Sequence, residues 1–178
     1  ISGNGSNLQA IINDIKRKKI NAYISCVISN NKEAFGVVRA QESNIPSYII
    51  SHTDYQSREG FDDALQKKID EFSPDLIVLA GFMRILSQNF VKTYLGKLIN
   101  IHPSILPKYP GLNTHERAIK DGSSEHGVTV HYVNEDLDGG PICAKSLLKV
   151  NTTSEAELKN QINKLECKLY PAVIKWIT

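Results

Sequence analysis

Two polar side chains stand two residues apart at the end of an apolar run: Asn100 and His102 in LINIHPSILPKYPGLNTH, Leu98 to His115. In a strand such residues share a face, so both can address one spot beyond the strand end. An amide beside an imidazole suits acyl transfer, because the amide N–H can stabilise a developing oxyanion while the imidazole moves a proton. The alternative use of the same residues is a hydrogen-bonded histidine in a loop. Pro103, Pro107 and Pro110 follow; they exclude helix and central strand and hold the backbone in one stiff path. Loops of this kind after strands are where α/β proteins keep reactive groups.

A third chemical group is Asp138 in EDLDGGP. Asp-Gly between two strands is first of all a turn signal. As a functional group, a carboxylate aimed at His102 would favour the charged imidazole and fix its tautomer; Asp136 is the rival for that part. In GNGSN, Gly3 to Asn7, the glycines permit a tight turn and close approach, and the helix that follows offers free N–H groups to an anion. A phosphate seat and a plain glycine turn both fit, and the third glycine of a dinucleotide fingerprint is lacking. In AGFMRILS, Gly81 permits close approach, Met83, Ile85 and Leu86 can wall a flat apolar ligand, and Arg84 can take an acidic group; core packing with a surface arginine is the other reading. His115, His126 and His131 lack metal-ligand spacing and read as structural.

These residues need elements to position them. GSNLQAIINDIKRKK places Leu8, Ile11, Ile12 and Ile15 on one helical face, and Ser6 with Gln9 reads as a capping box. Ala22 to Asn30 reads as a buried strand, KEAFGVVRAQES as a short helix and IPSYII as a second strand. A long amphipathic helix is expected over Arg58 to Phe72. DLIVLAGF and KLINIH are strands separated by a helix near Ser87 to Tyr94. A short helix ends at Asp121-Gly122. GVTVHYV and ICAKSLLKV then form an antiparallel ribbon joined by NEDLDGGP. Ser154 and Glu157 cap a last helix with Leu158, Ile162, Leu165 and Leu169 on one side. Strand–helix alternation predicts an α/β fold, a doubly wound, mostly parallel sheet with an antiparallel edge ribbon.

The 178 residues suffice for one domain with a sizeable core. Hydrophobic content of 41%, charged content of 22% and a net charge of +2 are those of a globular protein. The basic run Lys16 to Lys19 reads as a solvated helix end, and no basic stripe with interleaved aromatics points to nucleic acid. Cys26, Cys143 and Cys167 are dispersed, which argues for a reducing compartment and against a disulfide framework or zinc site. No stretch approaches the roughly 20 apolar residues of a membrane span. The chain opens at Ile1, without Met and inside a motif, so residues completing a first strand, and the extreme C-terminus, are expected to lie outside it.

Taken together, SGNGSN, VLAGFMRILS, NIHPSILPKYPG, HGVTVHYV and DLDGGPI, in this order and spacing across nearly the whole chain, resemble the glycinamide ribonucleotide formyltransferases, folate-dependent enzymes of purine biosynthesis. The resemblance implies a Rossmann-like sheet and transfer of a formyl group from N10-formyltetrahydrofolate to the amine of glycinamide ribonucleotide. By it, Asn100, His102 and Asp138 are the catalytic set. The N–H groups of Gly5, Ser6 and Asn7 would hold the nucleotide's phosphate, with Arg58 assisting there. The Met83 backbone would sit near the substrate amide and Glu166 at the ribose hydroxyls. Arg84, Ile85 and Leu86 would line the folate pocket, and the backbone of Val133, Asn134, Glu135, Asp136, Leu137 and Asp138 would read the pterin edge. No metal is implied. Small-molecule substrates, a cytoplasmic location, no membrane partner, and a monomer or homodimer are expected.

Two positions depart from the pattern. Asn113 stands where many relatives carry a His, outside the catalytic set, and Asn163 stands where some members have a Lys facing the phosphate. The nearest rival is formyltetrahydrofolate deformylase, whose nucleophile is water and which needs no phosphate seat, so GNGSN favours the transferase. Methionyl-tRNA formyltransferases share the proline-rich stretch but carry a further C-terminal domain. A non-catalytic nucleotide- or folate-binding module is opposed by intact Asn100, His102 and Asp138, and a Rossmann dehydrogenase by the short glycine signature.

Overall fold

Parallel strands need a crossover between them, and the amphipathic stretches of this chain supply it. The computed structural model describes residues 1–178. Helix α1 (Ser6–Lys16) buries Leu8, Ile11 and Ile12. Strand β1 (Val27–Ser29), helix α2 (Phe35–Glu42) and strand β2 (Ser47–Ile49) form a unit whose strands pair in parallel. After a 3-10 turn at His52–Asp54, α3 (Arg58–Asp70) buries Phe61, Leu65 and Ile69. Strand β3 (Ile77–Leu79), helix α4 (Gln88–Thr93) and strand β4 (Leu98–His102) repeat the parallel unit, with Leu79 opposite Asn100.

Beyond helix α5 (Thr114–Lys120), strands β5 (Glu125–Tyr132) and β6 (Ile142–Lys149) add an antiparallel ribbon to the β4 edge, giving the order β3-β4-β5-β6. Helix α6 (Glu155–Ile177) closes the chain, packing on α1, β5 and β6. The expected α/β class, parallel units and edge ribbon are all present. The strands form two sheets, β1-β2 and the four-stranded one, rather than one continuous body. A mostly apolar cavity of about 620 Å³ lies between them, lined by Val27 and Ile28 on one side and Ile77 and Val78 on the other.

The core follows the helical faces. One cluster joins Ile11 and Ile12 of α1 to Ile99, Val130 and Tyr170; a second joins Phe61 and Leu65 to Phe90, Tyr94 and Leu98. Tyr170 is buried, and its hydroxyl donates toward the carbonyls of Leu79 (3.0 Å) and Ile99 (3.1 Å), bridging neighbouring strands.

Three local expectations are corrected. The strand expected over Ala22–Asn30 contracts to Val27–Ser29, because pairing starts only where the Val27 N–H reaches the Pro46 carbonyl. The Ser6/Gln9 capping box does not form. Ser6 is the first residue inside α1, and the cap is Gly5, in the left-handed region at φ 73° with no side-chain hydrogen bond. Ser154 does cap α6, accepting from the Glu157 N–H, but the Glu157 carboxylate accepts from Thr152 Oγ1 instead of closing the box. Helix α6 also runs on through Pro171 to Ile177.

Candidate active site

Strand β4 delivers Asn100 and His102 to the C-terminal edge of the sheet, beside the point where β3 gives way to Gly81 and Met83. Ligand sites of open α/β sheets form at such edges. The proline-rich loop after β4 is anchored by its neighbours. Thr129 Oγ1, buried on β5, accepts from the Leu106 N–H and donates to the Ser104 carbonyl. Ser104 Oγ donates to the Lys108 carbonyl at 2.6 Å, and the Lys145 ammonium donates to the Leu106 carbonyl. The stiffness read from the prolines is thus completed by buried polar ties.

The loop returns to His102. Its Nε2 lies 2.8 Å from the Tyr109 carbonyl, and a carbonyl can only accept, so Nε2 carries a proton. Nδ1 then faces Asp138, 3.4 Å from Oδ2. The same carboxylate oxygen accepts from the Gly111 N–H at 2.8 Å. Both side chains are largely withdrawn from solvent, at 7% and 9% exposure, so their attraction is weakly screened. Asp138 meets the expectation of a carboxylate at His102, and it also occupies the turn, in the left-handed region at φ 54°. The following Gly140 is obligatory, since a Cβ there would lie 1.8 Å from the Tyr132 carbonyl oxygen.

His131, read from sequence as structural, belongs to this cluster. It stands opposite Asn100 in the β4–β5 register, with Nε2 3.3 Å from Asn100 Nδ2 and 3.7 Å from Asp138 Oδ1. Its Nδ1 lies 2.9 Å from the Tyr132 carbonyl. Burial pushes this imidazole below its usual 6.5, against the opposing pull of the Tyr132 carbonyl and Asp138. A neutral ring with its proton on Nδ1 leaves Nε2 to accept from the Asn100 amide, which fixes that amide's orientation and leaves its second N–H free. Alternation places His131 on the face of Thr129, but the pairing that sets it against Asn100 is not written in the alternation.

His115 and His126 do stay structural. His115 Nδ1 is 3.2 Å from His126 Nε2, and the fully buried His126 packs edge-on to Tyr109. Burial carries the His126 imidazole down to about 4.

At the other end of the edge, Gly5 caps α1 beside Ser6 and Asn7, whose first-turn N–H groups have no acceptor within the helix. A Cβ at Gly5 would meet the Gly36 Cα at 2.6 Å, so close helix contact and positive φ both demand glycine. Ser2 Oγ accepts from the Met83 N–H at 2.8 Å and donates to Asn30, tying this loop to the segment after β3. Glu166 Oε2 accepts from Asn7 and from Asn163, each at 3.2 Å, and Asn163 also donates to Ser6 Oγ at 2.9 Å. Burial raises the Glu166 carboxyl above its ordinary value, while the two amides partly offset this. At Asn163, then, an uncharged side chain braces the loop by hydrogen bonds.

Met83 and Ile85 are exposed apolar side chains, at 73% and 58%, while Leu86 packs against the Phe61 cluster and the Arg84 guanidinium lies over the Phe61 ring. Val133 joins the sheet through the Leu98 carbonyl, Asn134 and Asp136 shape the turn, Glu135 pairs with Lys92, and Leu137 is exposed. Arg58 opens α3 at the surface with no protein partner for its guanidinium. Asn113 caps α5 at φ 56°, a conformation that asparagine tolerates better than most side chains.

The profile of the formyl transferase family matches residues 1–174. The chain is 48% identical over 177 residues to the phosphoribosylglycinamide formyltransferase of Escherichia coli strain K12, covering 99% of this chain and 84% of that protein. It is 42% identical to the human trifunctional purine biosynthetic protein adenosine-3, of which it spans 18%. The solved phosphoribosylglycinamide formyltransferase of Coxiella burnetii superposes with a TM-score of 0.94 at 52% identity, covering 99% of this chain and 83% of that one.

Proposed function

The chain belongs to the formyl transferase family, and from that premise we propose that it transfers a formyl group from N10-formyltetrahydrofolate to the amine of glycinamide ribonucleotide, a step of purine biosynthesis. The observation that carries the proposal is the buried approach of His102 Nδ1 to Asp138 Oδ2, 3.4 Å, beside Asn100 at the sheet's ligand-binding edge.

The neutral amine attacks the formyl carbon, the carbonyl electrons move to oxygen, and the tetrahedral intermediate carries a negative oxygen and a cationic nitrogen. The free N–H of Asn100 donates to that oxygen, and the positive charge of His102, held by Asp138, stabilises it. The ammonium proton passes by way of this pair, or a water on it, to the folate nitrogen as the carbon–nitrogen bond breaks. Collapse restores the carbonyl in the product amide. Atoms and charge balance without an oxidant or reductant.

In this reading Gly5, Ser6 and Asn7 seat the nucleotide's phosphate on main-chain N–H groups at the α1 N-terminus. Arg58, exposed at the start of α3, assists at the phosphate, the Met83 backbone flanks the substrate amide, and Glu166 receives the ribose hydroxyls. Arg84, Ile85, Leu86 and the Val133–Asp138 turn hold the folate. The site works on small molecules, and no helix is long and apolar enough to cross a membrane.

The test is turnover of the formyl-folate with and without glycinamide ribonucleotide, followed by the absorbance of the folate product. Turnover that needs the amine, and that His102→Ala abolishes while circular dichroism is unchanged, is the expected result. Turnover without the amine would assign the chain to hydrolysis instead.

A further inference from the structure

Two hydrogen bonds that hold the His102–Asp138 pair come from one short loop. The Tyr109 carbonyl accepts from His102 Nε2, and the Gly111 N–H donates to Asp138 Oδ2. Both loop residues have positive φ, 55° at Tyr109 and 75° at Gly111. For tyrosine this conformation is strained and persists only when the surroundings hold it.

Arg117 is placed to hold it there. Side chains on a helix lean toward its N-terminus, and Arg117, midway along the seven residues of α5, leans back over the loop that precedes the helix. Its Nη1 donates to the Pro110 carbonyl at 2.6 Å and reaches the Leu112 carbonyl at 3.3 Å, while its guanidinium carbon lies 5.3 Å from the Tyr109 ring centre. One side chain thus grips Tyr109, Pro110 and Leu112. The carbonyl of the first of these meets the imidazole, and the N–H lying between the other two meets the carboxylate. A cation donating to carbonyls makes stronger bonds than a neutral donor would, and the ring contact adds a face-on attraction.

We propose that Arg117 is a positioning residue for formyl transfer: by clamping the 109–112 loop it sets the Tyr109 carbonyl and the Gly111 N–H, and through them the orientation of the His102 ring and of the Asp138 carboxylate. It touches neither substrate nor the reacting atoms. The proposal rests on the formyl-transfer reading for its kinetic consequence, whereas its structural consequence is independent of that reading.

Arg117→Ala is expected to lower kcat about 10- to 100-fold, the effect of loosening a positioned group by an ångström or less, with both KM values within about twofold. Arg117→Lys, which keeps a cationic donor to the carbonyls but loses the planar fork, is expected to fall between alanine and wild type. Nitrogen-15 NMR of the histidine rings supplies the second readout. In wild type the His102 Nε2–H is slow to exchange because it is held on a carbonyl, and in Arg117→Ala that protection is lost. A kcat within about twofold of wild type in Arg117→Ala, or a His102 Nε2–H equally protected in both chains, overturns the proposal. So does a loss of kcat that merely follows the unfolded fraction measured by circular dichroism. If wild type transfers no formyl group, the functional reading fails, and the NMR comparison still decides the role of Arg117.

Discussion

His126 couples the stability of the fold to pH through one buried ring. Its side chain is fully buried, its Nδ1 has no partner, and its Nε2 faces only His115. Burial holds the folded imidazole at about 4, against 6.5 for an ordinary one. Below pH 6.5 the unfolded chain takes up a proton that the folded chain refuses, so stability falls as the pH drops from 6.5 toward 4 and levels off below that. At about 1.4 kcal/mol per pH unit the gap amounts to roughly 3 kcal/mol, an upper figure because local relaxation would relieve part of it. His126→Leu removes both the titration and the stranded nitrogen. Urea unfolding of the two chains at pH 7 and pH 4.5 gives the comparison, with all carboxylate contributions common to both. Wild type is expected to lose more stability than the variant over this range, by about 2–3 kcal/mol. Equal losses in the two chains would refute the assignment of a buried neutral imidazole.

Three further outcomes follow from the site and the core. Asp138→Asn removes the negative partner of His102 while keeping the shape of the turn, and should lower kcat about a hundredfold in steady-state assays of formyl transfer; a change under about threefold would remove Asp138 from the mechanism. Gly5→Ala drives a Cβ to 2.6 Å from the Gly36 Cα and strains the φ of 73°, so calorimetry should record weaker nucleotide binding together with a lower melting temperature. Tyr170→Phe strips the Leu79 and Ile99 carbonyls of a buried donor and should cost about 1–3 kcal/mol in urea titrations.

Helical spacing made α3 and the start of α6 legible, because it matches the faces they bury, while β4 and β5 were legible as apolar runs buried on both faces and β6 by an alternation between half-buried and exposed positions. An apolar run does not reveal where a ladder partner begins, so β1 reads longer in the sequence than it is, and Ala22 to Cys26 have no partner. The capping-box spacing at Ser6 carries no sign that Gly5 turns left-handed against Gly36. In the site, Asn100 and His102 were readable from one strand, and Asp138 from the resemblance of its loop. His131 and Arg117 were not readable, since one depends on inter-strand register and the other on a helix doubling back over its own entry loop.

Helix α6 carries a last implication. Glu166 braces the glycine loop through Asn7, and Tyr170, one turn further on, pins the two strands whose ends present Met83 and Asn100. A single rod is therefore bolted to both halves of the workspace. Heating should not free one half before the other, and loss of activity and melting of this helix should arrive as one cooperative event.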